Sequence, residues 1–421
     1  MTDIANSRSA APSTLLTWTQ SAAIFAVCAN LFSTALGNLG FVTFLILFLC
    51  ICGANQRRHL DTANFPVGVA IALGVYLGLQ IIGLTYTDAS MSYALKTIFA
   101  DRKIFYIIPL ALIFSEEKPK KRFLICFLAT AVAGLGLSFL VINAHLHWRF
   151  GLNPDSVFRS NVTQSMIFAL AGFLSMWFGL QYRSRTLQIL LFALAAAFFL
   201  NIALLTPGRS GYLVCLVLLV WCFAMWRGLK GVLVGTVVAL LVAVVAFNAS
   251  SSVHDRVMKG VNEISNYSTS KEESSLGIRM VLYKTTWRMI LKRPLLGTGT
   301  GGFKDSYSRI VAQENSGWQA KPAEDPHNQY LFVTVQNGLI GLFAFLGVLS
   351  TIFLCCVKSG SIYGKMAAGC VLAWCATSLF SGHFRTFPEG HLIAFIVGIL
   401  MVNRSVVHRS EVTAQSAPAT T

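Results

Sequence analysis

The chain consists of a succession of long apolar stretches that contain very few charged residues. Asp, Glu, Lys and Arg together make up only 12% of its 421 residues, while 55% are hydrophobic. An average soluble protein has about a quarter of its residues charged, because such side chains cover its surface. This composition therefore excludes a soluble globular protein and a disordered one, and it indicates a polytopic membrane protein.

Twelve apolar segments approach or reach the roughly 17–25 residues that an α-helix needs to cross a bilayer. They cover residues 15–36, 39–54, 66–86, 97–115, 122–142, 161–181, 187–205, 210–226, 230–248, 329–356, 362–381 and 389–403. The fourth is the weakest, since Asp101, Arg102 and Lys103 lie near its start. The sequence thus predicts an all-α polytopic membrane protein with about 12 transmembrane helices.

The chain has a net charge of +16, and its basic residues are distributed as this topology requires. With the N-terminus in the cytoplasm, the inside turns hold 15 Lys and Arg residues, and every such turn has at least one. The short outside turns hold five, or seven with Arg102 and Lys103. This asymmetry obeys the positive-inside rule, so both termini are expected in the cytoplasm. The excess charge therefore indicates orientation in the bilayer, and we expect no nucleic-acid partner.

The spans divide the chain into four parts. Residues 1–248 hold helices 1–9, 249–328 form one large outer loop, 329–403 hold helices 10–12, and 404–421 form a polar cytoplasmic tail. A loop of about 80 residues between two spans is usually functional. The candidate site is therefore expected on the outer face.

An amphipathic helix is predicted within this loop over 278–293, where Pro294 ends it. Its basic residues are Lys284, Arg288 and Lys292. Its apolar stripe consists of Met280, Trp287 and Leu291. The helix lies either on the membrane surface or on the core of the loop, and the pattern favours neither. The glycines that follow, Gly297 to Gly302, favour a tight turn over a phosphate cradle.

The segment 323–343 is the most informative stretch of the sequence. Asp325 is a good N-cap residue, and Pro326 suits the first helical position. His327 is then expected in the first turn of the tenth span, where the helix dipole keeps its imidazole neutral. A neutral imidazole that faces a cavity can act as a general base. The alternative is an interfacial histidine bonded to water or a lipid headgroup.

Arg209 lies in a PGRSG turn at the outer junction between two apolar spans. A cation at this depth needs an anionic partner, and arginine binds a diphosphate bidentately. The alternative is a snorkelling side chain that contacts lipid phosphate.

Two other outer turns carry polar residues. The turn between the last two spans holds His383, Arg385, Glu389 and His391, which either line the same cavity or face solvent. The loop after the fifth span holds Arg149, which belongs to an interface belt or faces a substrate. His145 and His147 in that loop lack identifiable partner ligands, so no metal is expected.

Together these motifs resemble the O-antigen ligase and polymerase superfamily of membrane oligosaccharyltransferases. The resemblance covers roughly residues 205–343. The residues that carry it are Arg209 in the PGRSG turn, Arg279, Trp287, Pro294, Gly297 and Phe303 in the loop, and the HNxYL element at His327, Asn328, Tyr330 and Leu331. The rest of the chain matches as hydrophobic architecture.

The resemblance implies a GT-C-like glycosyltransferase of the bacterial inner membrane with a periplasmic active site. Such an O-antigen ligase moves a glycan from undecaprenyl diphosphate to a sugar hydroxyl of lipid A–core, with inversion and without metal, ATP or other cofactor. His327 is implied as the catalytic base, and Arg209 and Arg279 as diphosphate ligands. Further possible substrate contacts are Asn328, Tyr330, Arg149, Arg288, His383, Arg385 and Glu389.

Three alternatives remain open at this point. An O-antigen polymerase and a protein O-oligosaccharyltransferase of the same superfamily use the same donor chemistry. We favour the ligase because the chain is compact and has the long loop between the ninth and tenth spans. A transporter or flippase for lipid-linked glycans is the alternative of another class, and it predicts broken or charged helices at mid-membrane depth.

Overall fold

A computed structural model describes residues 14–53, 60–62, 65–143, 156–158, 160–205, 208–270, 272–383 and 386–402. These residues form α-helices and short 3₁₀ segments, and no strand occurs among them. The α-helices are α1 (Thr14–Phe32), α2 (Thr34–Gly53), α3 (Val67–Ile82), α4 (Met91–Ala100), α5 (Ile107–Ile113), α6 (Glu117–Asn143), α7 (Asn161–Gly179), α8 (Arg185–Leu204), α9 (Arg209–Ala249), α10 (Ser251–Ser265), α11 (Ser275–Lys292), α12 (Phe303–Glu314), α13 (Gln329–Lys358), α14 (Ile362–Thr377) and α15 (Phe387–Met401). The 3₁₀ segments are Gly83–Thr85, Asp101–Tyr106 and Gly317–Ala320.

Eight helices in the described ranges are long and apolar enough to cross a membrane, judged by length and composition. They are α1, α2, α3 with its 3₁₀ turn, α6, α7, α8, α9 and α13, and α15 contains a shorter apolar helix. Large apolar side chains stay exposed on them, such as Leu190, Leu233 and Leu240. Apolar faces of this extent suit contact with lipid, so the all-helical architecture fits a polytopic membrane protein.

α9 consists of two antiparallel arms joined by a tight turn. Gly228 has φ 59° and ψ −135°, a conformation that glycine tolerates and other residues rarely adopt. The chain folds back there, since a Cβ added to Gly235 would lie 2.8 Å from the Cβ of Phe223. The two arms correspond to the predicted spans 210–226 and 230–248.

The fourth predicted span, 97–115, is not one continuous helix. It is divided among α4, a 3₁₀ segment and α5, which has only seven residues. Asp101 and Lys103 are both buried at the interruption. Asp101 accepts a hydrogen bond from Gln80 at 2.5 Å, and Lys103 donates one to the Thr386 carbonyl at 3.1 Å. The helix is interrupted where these polar groups take partners on neighbouring elements, because they need such partners in an apolar interior.

α13 is also interrupted, at Gly338, where φ is 64° and ψ is −167°. Backbone from the outer loop occupies the interruption. The Leu339 N–H donates to the Pro294 carbonyl at 2.8 Å, and a Cβ on Gly338 would collide with the Leu295 carbonyl. The loop is thus joined to the membrane helix by main-chain contacts.

The glycine-rich turn that precedes α12 strengthens this junction. The N–H groups of Thr298 and Gly299 donate to carbonyls of α13 at 2.8 and 2.9 Å, and that of Thr300 donates to the Gly83 carbonyl at 3.2 Å. A phosphate cradle would need these N–H groups as donors, but they already donate to carbonyls of the protein. The turn is a structural brace, in agreement with the turn favoured from the sequence.

The segment between α9 and α13, which the sequence predicts to lie outside the membrane, folds into α10, α11, α12 and a 3₁₀ segment. A small hydrophobic core joins it to α13 and contains Val281, Leu282, Met289, Ile290, Phe303, Tyr307, Val311, Phe332 and Val335. The predicted helix over 278–293 is α11, which starts earlier because Ser274 accepts from the Gly277 N–H as its N-cap. Trp287 and Leu291 of the predicted stripe are exposed, so α11 has apolar residues on both its core side and its outer side.

Candidate active site

His327 lies just before α13 and not in its first turn. Asn328 is the N-cap of α13, and its side chain accepts from the Leu331 N–H at 3.0 Å. The N-cap predicted at Asp325 and the helical position predicted for Pro326 are therefore wrong, and His327 precedes the helix. The physical reason is that Asn328 satisfies the free amide of the first turn, while His327 has a φ of 52° that no α-helix allows.

The imidazole of His327 is half exposed and faces Asp325. Asp325 Oδ1 accepts from the His327 backbone N–H at 2.8 Å and lies 3.3 Å from its Nδ1. His327 is also the only non-glycine residue with a positive φ in the described part of the chain. A conformation of this kind costs about 1–3 kcal/mol and is concentrated at functional sites. With Nδ1 turned toward the carboxylate, Nε2 is the nitrogen available to a bound molecule.

Asn328 and Tyr330 have partners within the protein. The Asn328 side chain caps α13 and also donates to the Leu379 carbonyl at 3.0 Å. Tyr330 Oη donates to the Cys375 carbonyl at 2.8 Å. Both side chains thus fix the start of α13 to the end of α14, and their proposed substrate contacts stay predictions.

Tyr283 of α11 connects this turn to the outer loop. Its hydroxyl lies 2.9 Å from the Leu379 carbonyl and 3.3 Å from the His327 carbonyl. Burial raises the pKa of Tyr283, while the Arg279 cation and a hydrogen bond with Asn328 oppose that rise. The Tyr283 hydroxyl therefore remains neutral, and Tyr283 interacts with both the His327 carbonyl and Arg279.

Arg279 lies one helical turn before Tyr283 and is largely buried. Burial lowers its pKa, the nearby Arg209 cation lowers it further, and Tyr283 and Glu263 oppose the change. No carboxylate lies within ion-pair distance of Arg279 in the part of the chain that the structure describes. A desolvated cation without a counterion is unfavourable unless an anionic ligand joins it.

Arg209 comes from a distant part of the sequence and lies beside Arg279. It begins α9 and forms an ion pair with Glu263 of α10 at 3.6 Å. Its Nε is buried without a hydrogen-bond partner among the described residues, as is that of Arg256. Arg209 and Arg256 line one polar cleft of about 740 Å³, together with Lys259 and several carboxylates.

The helices that carry Arg209 and Arg256, α9 and α10, also line an apolar groove of about 690 Å³. Its walls come from α7, α8 and both arms of α9, and Val253 and Val257 of α10 close one end. Tyr212, one turn after Arg209, lines it with a hydroxyl that is buried and has no described partner. A charged group at Arg209 and an apolar chain in the groove would therefore be neighbours.

The other residues predicted for the site lie either on the surface or in the interior. Arg288 is exposed on α11 and pairs with Glu314 of α12. His383 and Glu389 are buried, and Glu389 accepts a hydrogen bond from Thr163. Burial lowers the pKa of His383 to about 4, with Glu389 opposing that change and Lys103 adding to it.

Arg149 and Arg385 lie outside the described residues, as do His145 and His147. Their predicted roles therefore stay predictions. Within the described ranges, no group of three or more His, Cys, Asp or Glu side chains is arranged to hold a metal ion.

Three residues of this site were not singled out from the sequence. They are Tyr283, Glu263 and Asp325, the last as the partner of His327. Their proximity to the site depends on how α10, α11 and α13 pack together. The spacing of Arg279 and Tyr283, four residues apart on a predicted helix, was the one available signal, since such residues share a face.

Comparison with known families agrees with the motifs. Residues 194–346 match the family described as O-antigen ligase, and this range contains Arg209, Arg279 and His327. The match confirms the resemblance to the O-antigen ligase superfamily. That family consists of membrane glycosyltransferase-like ligases and polymerases, which supports an enzyme. No curated protein matches the chain.

Proposed function

We propose that this protein is an O-antigen ligase of the bacterial inner membrane. It transfers a glycan from undecaprenyl diphosphate to a sugar hydroxyl of lipid A–core at the periplasmic face, with inversion and without metal or ATP. Arg209 and Arg279 bind the diphosphate, and His327 is the general base.

The observation that carries the proposal is the partly buried guanidinium of Arg279, which lies beside Arg209 and has no carboxylate within ion-pair distance among the described residues. The two arginines share one nearby carboxylate, Glu263, which pairs with Arg209 alone. A diphosphate supplies the missing negative charge and suits two guanidinium forks. The same groups stabilise the charge that develops on the diphosphate as it leaves.

The apolar groove supports a donor that carries a long hydrocarbon chain. It adjoins Arg209 through Tyr212 and is lined almost entirely by apolar side chains of membrane helices. A polyprenyl chain in this groove would set its diphosphate at the outer end, next to the arginines. Burial of the chain also explains why such an enzyme is embedded in the bilayer.

The transfer step follows from these positions. The acceptor hydroxyl gives its proton to His327 Nε2 while its oxygen bonds to the anomeric carbon of the donor. The bond between that carbon and the phosphate oxygen breaks, and the electron pair leaves with the diphosphate. Asp325 orients the imidazole and stabilises its protonated form. No acid is needed, because the diphosphate leaves as an anion, and the imidazolium then releases its proton to solvent.

The transporter alternative receives less support. α13 and the fourth predicted span are indeed interrupted, as a transporter would require. The interruption at Gly338 is nevertheless filled by loop backbone, and Asp101 is engaged by Gln80. Groups of the protein itself thus occupy both interruptions at these points.

The test uses purified protein in detergent without added metal. Undecaprenyl-diphosphate glycan and lipid A–core are supplied to the wild type and to His327→Ala. We expect glycan on lipid A–core with the wild type and a loss of roughly 10²–10⁴-fold in the variant. Glycan that lengthens on its carrier would instead identify a polymerase. Labelled carrier that crosses vesicles without any transfer would identify a transporter.

A further inference from the structure

A second cleft lies beside α11, and Glu273 lines both this cleft and the Arg209 cleft. It has a volume of about 320 Å³, and His327 and Asp325 are part of its wall. Val281, Leu282 and Trp318 provide apolar surface, and Gln319, Lys321 and Glu324 provide polar groups. Its size is at the small end of the range of about 300–1,000 Å³ that is typical of small-ligand sites.

We propose that this cleft binds the sugar ring of the acceptor, the ring whose hydroxyl receives the glycan. The inference rests on the proposed function, since it takes His327 as the base. The acceptor hydroxyl must come within hydrogen-bond distance of that base. His327 lines this cleft, whereas Arg209 lines the other one.

The chemistry of the walls suits an uncharged, hydroxyl-bearing ring. An aromatic and aliphatic surface packs against the apolar face of a sugar, and the surrounding amide and charged groups bond to its hydroxyls. Two of the three carboxylates of the cleft have lysine partners, and the third, Asp325, faces His327. Glu273 pairs with Lys321, and Glu324 pairs with Lys304 at 3.0 Å. The cleft therefore has no surplus positive charge to select a phosphate or an acidic sugar.

α11 contributes to both substrate sites in this arrangement. Val281 and Leu282 line the acceptor cleft, while Arg279 interacts with Arg209 and Glu263. The Tyr283 hydroxyl lies 3.3 Å from the His327 carbonyl, and Tyr283 also interacts with Arg279. An inverting displacement requires the base and the leaving group on opposite sides of the reacting carbon, and here the base and the diphosphate ligands come from different elements.

The test compares variants inside and outside the cleft. Gln319→Ala and Lys321→Ala remove polar groups of the cleft, and Lys292→Ala is the control, since Lys292 is exposed on α11 and lines neither cleft. We expect KM for lipid A–core to rise roughly five- to tenfold in the first two variants, the effect of one or two lost hydrogen bonds. KM for the donor should stay unchanged, and Lys292→Ala should match the wild type in both constants.

A binding measurement keeps this test separate from that of the proposed function. Core oligosaccharide freed of lipid A is titrated into the wild type, the Gln319→Ala/Lys321→Ala double variant and the Lys292→Ala control, without donor. Weaker binding in the double variant alone supports the cleft, even if no transfer is seen. Equal binding by all three proteins, or a change in donor KM instead of acceptor KM, would overturn the assignment. A preference for phosphorylated over dephosphorylated oligosaccharide would overturn the uncharged-ring inference.

Discussion

Replacement of Arg279 by alanine should weaken donor binding without weakening the fold. Arg279 is largely buried, adjoins Arg209 and has no carboxylate within ion-pair distance among the described residues. A hydrogen bond to a charged group contributes about 1.5–3 kcal/mol. The loss of one such bond to the diphosphate corresponds to a fall of about 10- to 150-fold in kcat/KM for the donor.

The same surroundings predict the effect on stability. The charge of Arg279 is disfavoured in the folded protein, so its removal should leave the unfolding temperature unchanged or raise it. Arg279→Lys keeps the charge but loses the bidentate fork, so its activity should lie between those of the wild type and Arg279→Ala. Arg209→Ala should lose less donor affinity than Arg279→Ala, because Glu263 already neutralises part of the Arg209 charge.

The assay combines donor-dependent transfer rates with thermal unfolding in detergent. Arg288→Ala is the matched control, since Arg288 lies on the same helix but is exposed and paired with Glu314. Transfer by Arg279→Ala within twofold of the wild type would refute the diphosphate role. A large fall in unfolding temperature that accompanies the loss of activity would refute the claim that Arg279 is uncompensated in the fold.

Asp325→Asn keeps an acceptor for the His327 N–H but removes the negative charge that faces Nδ1. We therefore expect kcat to fall roughly tenfold with both KM values unchanged. An unaltered kcat would contradict the pairing of Asp325 with His327. Gly338→Ala should cost about 1–3 kcal/mol of stability, because the Cβ meets the Leu295 carbonyl at a φ of 64°; Gly347→Ala on the same helix has open space around it and should not lower the unfolding temperature. The pKa of His383 falls from 6.5 to about 4 on folding, so the unfolded chain binds more protons than the folded protein between these pH values. The free energy of unfolding should therefore decrease as pH falls from 6.5 toward 4. His383→Asn should reduce this pH dependence in thermal unfolding scans.

The membrane character and most helices could be predicted from the sequence. Apolar runs indicate spans directly, because the bilayer fixes their length and polarity. The spans at 210–226 and 230–248 correspond to the arms of α9 for this reason. The fourth span failed because Asp101 and Lys103 find partners on distant elements, and no local pattern shows such partners.

The site could be predicted in its parts but not in its arrangement. Single residues such as His327 and Arg209 stood out because polar groups beside apolar spans are rare. The start of α13 was misplaced because Asp325 and Asn328 are both good N-caps, and only the fold shows that Asn328 is used. Contacts such as Arg209–Glu263 join α9 to α10, and the meeting of Arg279 with Arg209 depends on packing across 70 residues.

In the proposed reaction, the bond between the glycan and the carrier diphosphate breaks as the glycan joins the acceptor. The most direct test of this step measures both products by mass spectrometry in one reaction, with an isotope label on the donor sugar. We expect glycosylated lipid A–core and free undecaprenyl diphosphate in equal amounts with the wild type, and neither above background with His327→Ala. Intact donor after incubation with folded wild-type protein and acceptor would contradict this step, as would release of undecaprenyl diphosphate without labelled acceptor.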